Sequence, residues 1–91
     1  MTSRQPGAAN RATLTGAAAE QALQALTPRE RQILELVAAG LTSPSIAAEL
    51  GMKVPTVKTH LRSTYAKLGV NNRVQATNIY HLGDPQGRPP Q

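Results

Sequence analysis

Residues 54–69, VPTVKTHLRSTYAKLG, decide how this chain reads. A proline sits in the first-turn position and a glycine ends the run, the signals of a helix start and stop. Val57, Leu61, Tyr65 (or Thr64) and Leu68 follow i, i+4, i+8, i+11, which is one buried stripe. Lys58, Thr59 and Arg62 then face outward, with Ala66 further along. The stretch holds four cationic or potentially cationic side chains, three threonines, a serine and no acid. A solvated helix usually pairs its cations with acids one turn away. Their absence raises the question of what supplies the counter-charge.

The rest of the chain sharpens the question. Glu20, Glu30, Glu35 and Glu49 all precede Leu50, and the next acid is Asp84. Between them lie Lys53, Lys58, Arg62, Lys67 and Arg73, and the net charge is +5. A one-sided cation field suits a polyanionic partner, although the same charge also suits a solvated face. Ninety-one residues allow one small domain, which buries only about 60% of its unfolded surface. There is no Cys, Phe or Trp. A disulfide or cysteine-ligated metal is thereby excluded, which fits a reducing cytoplasm. No apolar run approaches the roughly 18 residues of a membrane span, and the N-terminus lacks the apolar core of a signal peptide.

Outward from the opening stretch, the pattern predicts four helices. LTPRERQILELVAAGL offers Thr27 as N-cap, Pro28 at the first helical position and Glu30 to close a capping box. Ile33, Leu34 and Val37 form its inner stripe, and Gly40 ends it. TSPSIAAELG is a short second helix capped by Thr42 or Ser43 and stopped by Gly51. The opening stretch is the third, over about 55–68. NRVQATNIYHLG is the fourth, capped by Asn72 with Gln75 three residues on, and stopped by Gly83 and Asp84-Pro85. Its inner face is expected to hold Ala76, Ile79 and Leu82. Residues 1–16 are polar and rich in Gly, Pro, Thr and Ala, so they are expected to be disordered, and residues 84–91 to form a flexible tail. Residues 17–26 read as a linker or a short extra helix, with Ala19, Ala22, Leu23 and Leu26 on one face.

The second and third helices carry the sharpest signal. Ala47, then Gly51 four residues on and Val57 six further, have helix-turn-helix spacing. A small Ala permits close approach, Gly permits the positive φ of a sharp turn, and Val57 fills the gap beside Ile46 and Leu50. A helix carrying Lys58, Thr59 and Arg62 on its outer face has what a major groove demands: long cations for guanine edges or phosphates, and a short side chain for close approach.

At this point the stretch LTPRERQILELVAAGLTSPSIAAELGMKVPTVKTHLRSTYAKLGVNNR closely resembles the LuxR/NarL/FixJ-type (GerE-type) helix-turn-helix domain, from Leu26 to about Leu82. Its pieces LTPRE, TVKTH, KLGV and NR stand in order and at matching separations, which together are highly specific. The resemblance implies an all-α, four-helix bacterial DNA-binding domain over 27–83. It further implies a transcriptional regulator whose third helix enters the major groove of double-stranded DNA. By position, Lys58, Thr59 and Arg62 correspond to base-reading residues. Thr56 and Lys67 correspond to positions that touch the DNA backbone, and Lys53 offers a further phosphate contact. The fourth helix can pair two protomers as a homodimer on DNA, with Val74, Thr77 and His81 along one stripe. RNA polymerase is a further candidate partner. The sequence departs from the family at Pro44-Ser45, where a Lys-Glu or similar pair is usual, and at Lys53, where Ser is frequent. These changes bear on DNA docking more than on the fold.

Two other classes remain open: a sigma-region-four-like promoter module, and a protein-interaction module that retains the fold without DNA binding. No Ser/His/Asp or Cys/His set, phosphate-cradling glycine loop or carboxylate pair is present, so an enzyme is not expected. His60 and His81 lie on separate helices without supporting ligands, so neither a metal nor another cofactor is expected. His60 is read as packing or bonding to backbone rather than touching a base, Tyr65 as core, and Tyr80 as lying on the outer or pairing face of its helix. Arg73 is read as pairing with Glu30 or Glu35, or else as touching DNA. The first 26 residues cannot bury a second core, so the chain is expected to be a free-standing regulator or the C-terminal part of a longer one.

Overall fold

The computed structural model describes residues 16–83. The expectations for residues 1–15 and for the tail at 84–91 lie outside the described residues. Five helices follow in order: α1 (Gly16–Gln24), α2 (Pro28–Ala38), α3 (Ser43–Leu50), α4 (Val54–Leu68) and α5 (Arg73–Gly83). No strand occurs among the described residues. The expected all-α fold is thus present, with one helix beyond the four read from the sequence.

Each helix begins and ends for a local reason. Thr27 caps α2: its hydroxyl accepts from the Glu30 N–H at 3.1 Å, and the Glu30 carboxylate accepts from the Thr27 N–H at 2.9 Å. This reciprocal box satisfies two donors that the first turn would otherwise leave bare. Thr42 caps α3, accepting from the Ser45 N–H at 3.3 Å, and its hydroxyl donates to the Ser45 hydroxyl at 3.1 Å. Ser45 therefore stands where an acid would complete the box. At α5 the box is offset: Asn72 accepts from the Gln75 N–H, while the Gln75 side chain reaches the Asn71 N–H, both at 2.9 Å. Gly51 and Gly69 end α3 and α4 in the left-handed region, at φ 66° and 71°.

The buried side chains fall into two clusters that share α2 and α4. Ile33, Val37, Ile46, Ala47 and Val57 join α2, α3 and the first half of α4. Leu34, Leu68, Ala76 and Ile79 join α2, the end of α4 and α5, with Ala19, Leu23 and Leu26 covering them from the N-terminal side. Of the alternatives for the opening stripe, Thr64 is the fully buried residue and Tyr65 is half-buried. The Thr64 hydroxyl donates to the His60 carbonyl at 2.7 Å, which satisfies it away from water.

Residues 17–26 contribute a helix, α1, packed mainly on α5. Its backbone comes so close that a Cβ on Gly83 would lie 2.6 Å from the Ala19 carbonyl carbon. Gly83 is therefore a close-approach residue and the last residue of α5. This corrects the expected inner face of α5. Leu82 is 45% exposed, and Gly83, one helical step on, takes the buried place. Tyr80 is corrected likewise: it is half-buried and packs against the α1–α5 cluster.

Candidate nucleic-acid interface

The α3–turn–α4 unit is held by its smallest residues. Ala47 is buried, and its carbonyl accepts from the Gly51 N–H and from the Met52 N–H, the latter at 2.8 Å. The left-handed Gly51 makes this doubled bond possible and turns the chain sharply into α4. Val57 is wholly buried in the angle, among Ile33, Val37, Ile46 and Ala47. That fixes the rotation of α4 about its axis, and so fixes what it shows to solvent.

Lys53, Thr56, Lys58, Thr59 and Arg62 are all exposed. The side chains of Lys53, Lys58 and Arg62 make no hydrogen bond or ion pair with another described residue. The three cations are thus exposed with their charge unneutralised: Lys58 and Arg62 lie one turn apart on one side of α4, and Lys53 stands at its start. Lys53 occupies the N-cap position and gives no side-chain cap, so the first-turn N–H groups of α4 are open as well. Thr59 differs: its hydroxyl donates to the Pro55 carbonyl at 3.1 Å. His60 is half-buried, as its place beside the inner stripe suggests.

Lys67 stands in another environment. Its ammonium donates to Glu30 Oε1 at 2.8 Å, and the Ser63 hydroxyl donates to Glu30 Oε2 at 2.6 Å. The Glu30 side chain is 6% exposed and that of Lys67 36%. The carboxylate is held down to about 2, by Lys67 first, then Ser63; burial opposes this, and the Thr27 N–H adds to it. Glu30 is covered, and the pair is open to water on its Lys67 side, so it is screened from there. The carboxylate thus closes the α2 cap and anchors the second half of α4. Sequence reasoning identified the cap and missed the anchor. The signal available was that Glu30 is the one acid of α2 on the inner side of the helix. The partners lie 33 and 37 residues away, beyond any local pattern.

Arg73 is corrected. It pairs with neither Glu30 nor Glu35; its guanidinium donates to the Leu41 carbonyl and, at 3.5 Å, to the Val37 carbonyl. The last turn of α2 has no basic residue of its own, so Arg73 supplies the cation there from α5. It also partly offsets the rise in the Tyr65 phenol pKa caused by burial.

On α5, Val74 is 66% exposed, and Thr77 and His81 are half-buried. The His81 ring meets Tyr80 edge-on, with centroids 5.5 Å apart. Among the described residues Val74 and Leu82 are the exposed large apolar side chains. Among the described residues no group of three or more His, Cys, Asp or Glu is placed to hold a metal ion. No described helix is long and apolar enough to cross a membrane.

A helix-turn-helix with an uncompensated basic second helix defines a class, and comparison gives the family. Residues 24–80 match the family described as bacterial regulatory proteins, luxR family, and the chain belongs to it. The chain is 47% identical over 58 residues to the probable transcriptional regulatory protein SgaR of Hyphomicrobium methylovorum, covering 64% of this chain and 28% of that protein. It is 49% identical over 51 residues to the probable transcriptional regulatory protein NarL of Mycobacterium tuberculosis, covering 56% and 24%. To the HTH-type transcriptional regulator MalT of Serratia proteamaculans it is 47% identical over 51 residues, covering 56% and 6%. The chain thus spans less than a third of the length of each. No solved structure matches it.

Proposed function

We propose that this chain is the sequence-specific, duplex-DNA-binding part of a transcriptional regulator acting in the cytoplasm. In this reading α4 lies in the major groove, with Lys58, Thr59 and Arg62 at base edges and Lys53 and Thr56 at the DNA backbone. The supporting observation is the exposed pair Lys58 and Arg62, one turn apart on a helix whose rotation is fixed by buried Val57, with exposed Lys53 at its start and no side-chain partner for any of the three among the described residues. Phosphate supplies the counter-charge that the sequence withholds, and guanine supplies acceptors for the same donors. Lys67 is read first as the anchor of α4 to Glu30, with its remaining donors free to touch phosphate.

Two copies act together. One recognition helix reads only a few base pairs, which is little against a genome, and a pair on adjacent half-sites roughly doubles the reading. The surface for pairing is the outer side of α5, with Val74, Thr77 and His81. So short a helix buries little area, so pairing is expected on DNA rather than free in solution.

Selection from a random duplex library tests this reading. A recovered motif with two half-sites, bound by two copies, supports it. Failure to bind any duplex at low salt overturns the DNA reading. A best site saturated by one copy, whether or not Val74 is changed to Glu, overturns the pairing.

A further inference from the structure

The two exposed threonines of α4 are not chemically equivalent. A threonine hydroxyl has one hydrogen to donate and two lone pairs to accept. The Thr56 hydroxyl makes no hydrogen bond within the described residues, so both capacities are open. The Thr59 hydrogen is already committed to the Pro55 carbonyl one turn back, at 3.1 Å. Buried Thr64 makes the same kind of bond, to His60, where no water is at hand to take its place. What Thr59 retains for a partner is its γ-methyl and an acceptor lone pair.

The major-groove code gives this difference a consequence. Guanine presents two acceptors, N7 and O6, and needs donors opposite. Thymine presents its 5-methyl beside a single acceptor. A side chain that has spent its donor and shows a methyl is poorly matched to guanine and well matched to thymine. Its neighbours have the opposite chemistry, since Lys58 and Arg62 are exposed donors without internal partners. The outer face of α4 therefore sets an apolar, donor-depleted point beside two donor-rich ones.

We propose that Thr59 reads a thymine through its 5-methyl group, beside guanine contacts from Lys58 or Arg62. The proposal rests on the reading of α4 as a groove-binding helix and specifies one base pair within it. It requires at least one thymine in each half-site whose methyl group contributes to affinity.

The test uses the duplex selected above, with each thymine replaced singly by deoxyuridine, which removes the methyl and leaves every hydrogen-bonding group in place. The wild-type chain should lose about 4-fold in affinity at one thymine per half-site, the worth of one buried methyl-sized group. Thr59→Val keeps a methyl and loses the hydroxyl, and should show the same loss on that deoxyuridine duplex. Thr59→Ser keeps the hydroxyl and loses the methyl, and should bind the thymine and deoxyuridine duplexes equally. Both changes lie on an exposed surface, and unchanged helical circular dichroism checks the fold. Equal wild-type binding to every deoxyuridine duplex overturns the proposal, as does a penalty that survives in Thr59→Ser and vanishes in Thr59→Val. Arg62→Ala separates the two levels. If it abolishes the site preference while no deoxyuridine matters, the Thr59 assignment alone fails. If no duplex is bound in any case, the groove reading fails with it.

Discussion

The two halves of α4 both carry cations and no acid, and use the cations differently. From Lys53 at the N-cap to Arg62 the lysines and the arginine are exposed, and nothing in the described fold neutralises them. In the second half Ser63 and Lys67 are drawn to the buried Glu30 carboxylate of α2. The helix as a whole lacks acids, and the absence has two explanations. In the second half the counter-charge comes from another helix. In the first half it is left for a partner. Charge counting along a sequence cannot separate these cases; partner geometry does.

The largest effect is expected from breaking the second half. Glu30→Ala would strip the ammonium of Lys67, the hydroxyl of Ser63 and the N–H of Thr27 of their acceptor at once. Removing one member of a buried pair costs about 3–5 kcal/mol, and the partial exposure of Lys67 reduces this to about 2–3. For a domain of this size that is a fall of roughly 10–20 °C in the thermal midpoint. A melt that moves by less than 3 °C would mean that the contact is an ordinary surface pair, and the contrast within α4 would disappear.

Breaking the first half should leave the fold intact and damage recognition. Arg62 is exposed and has no internal partner, so Arg62→Ala should melt within about 0.5 kcal/mol of the parent. Its preference for the selected operator over random duplex should fall by about 1–3 kcal/mol, the worth of a bidentate guanine contact. Operator competition against random duplex measures this. An unchanged preference would mean that α4 docks with another face.

Acid should act on the second half alone. The Glu30 pKa is about 2 in the folded chain against an ordinary 4.5. A depressed carboxylate contributes stability that is full above the unfolded value and is lost as pH falls through the folded one. The loss should therefore develop between about pH 4.5 and pH 2. Screening by the exposed side of Lys67 limits it to about 1–2 kcal/mol. Glu30→Gln should flatten this part of the pH–stability curve. A variant curve parallel to that of the parent would assign the acid sensitivity to another group.

The same contrast explains what the sequence made legible. The helix-turn-helix was readable because its determinants are local: Thr27 and Thr42 cap within three residues, Gly51 turns, and Val57 falls on a period of 3.6. The outward side of α4 followed from Val57 by rotation. What was not legible depends on contacts between distant segments. Residues 17–26 have a helical face, but only its packing on α5 makes that face core. Leu82 fits an inner stripe by spacing and is displaced because α1 needs the room beside Gly83. Arg73 had two acids within plausible reach by charge, and instead donates to the Leu41 carbonyl just beyond α2 and to the Val37 carbonyl in its last turn. The Glu30 anchor was hidden for the same reason: its capping partner is three residues away and its tertiary partners more than thirty.

The smallest expected effect discriminates most finely between the halves, because it separates grip from support by a quantity that stability does not enter. Each phosphate neutralised by a cation releases counterions, and the log–log slope of affinity against salt changes by about 0.9 per contact on duplex DNA. Lys53 is exposed at the N-cap of α4, with no side-chain bond among the described residues. Lys53→Ala should weaken binding to all duplexes similarly and make the slope shallower by about 0.9. Lys67→Met removes a cation of the same formal charge, but one already paired with Glu30 at 2.8 Å. It should lower the thermal midpoint and leave the slope within about 0.3 of the parent, because the pair was close to neutral before DNA arrived. Affinity alone would not distinguish the two variants, since a loosened α4 also binds less well. The slope does, since a structural defect shifts the whole salt curve without tilting it. A tilt of about 0.9 from Lys67→Met would show its ammonium reaching a phosphate with its remaining donors. The boundary between the two halves of α4 would then have to be redrawn beyond Ser63, with Lys67 belonging to both.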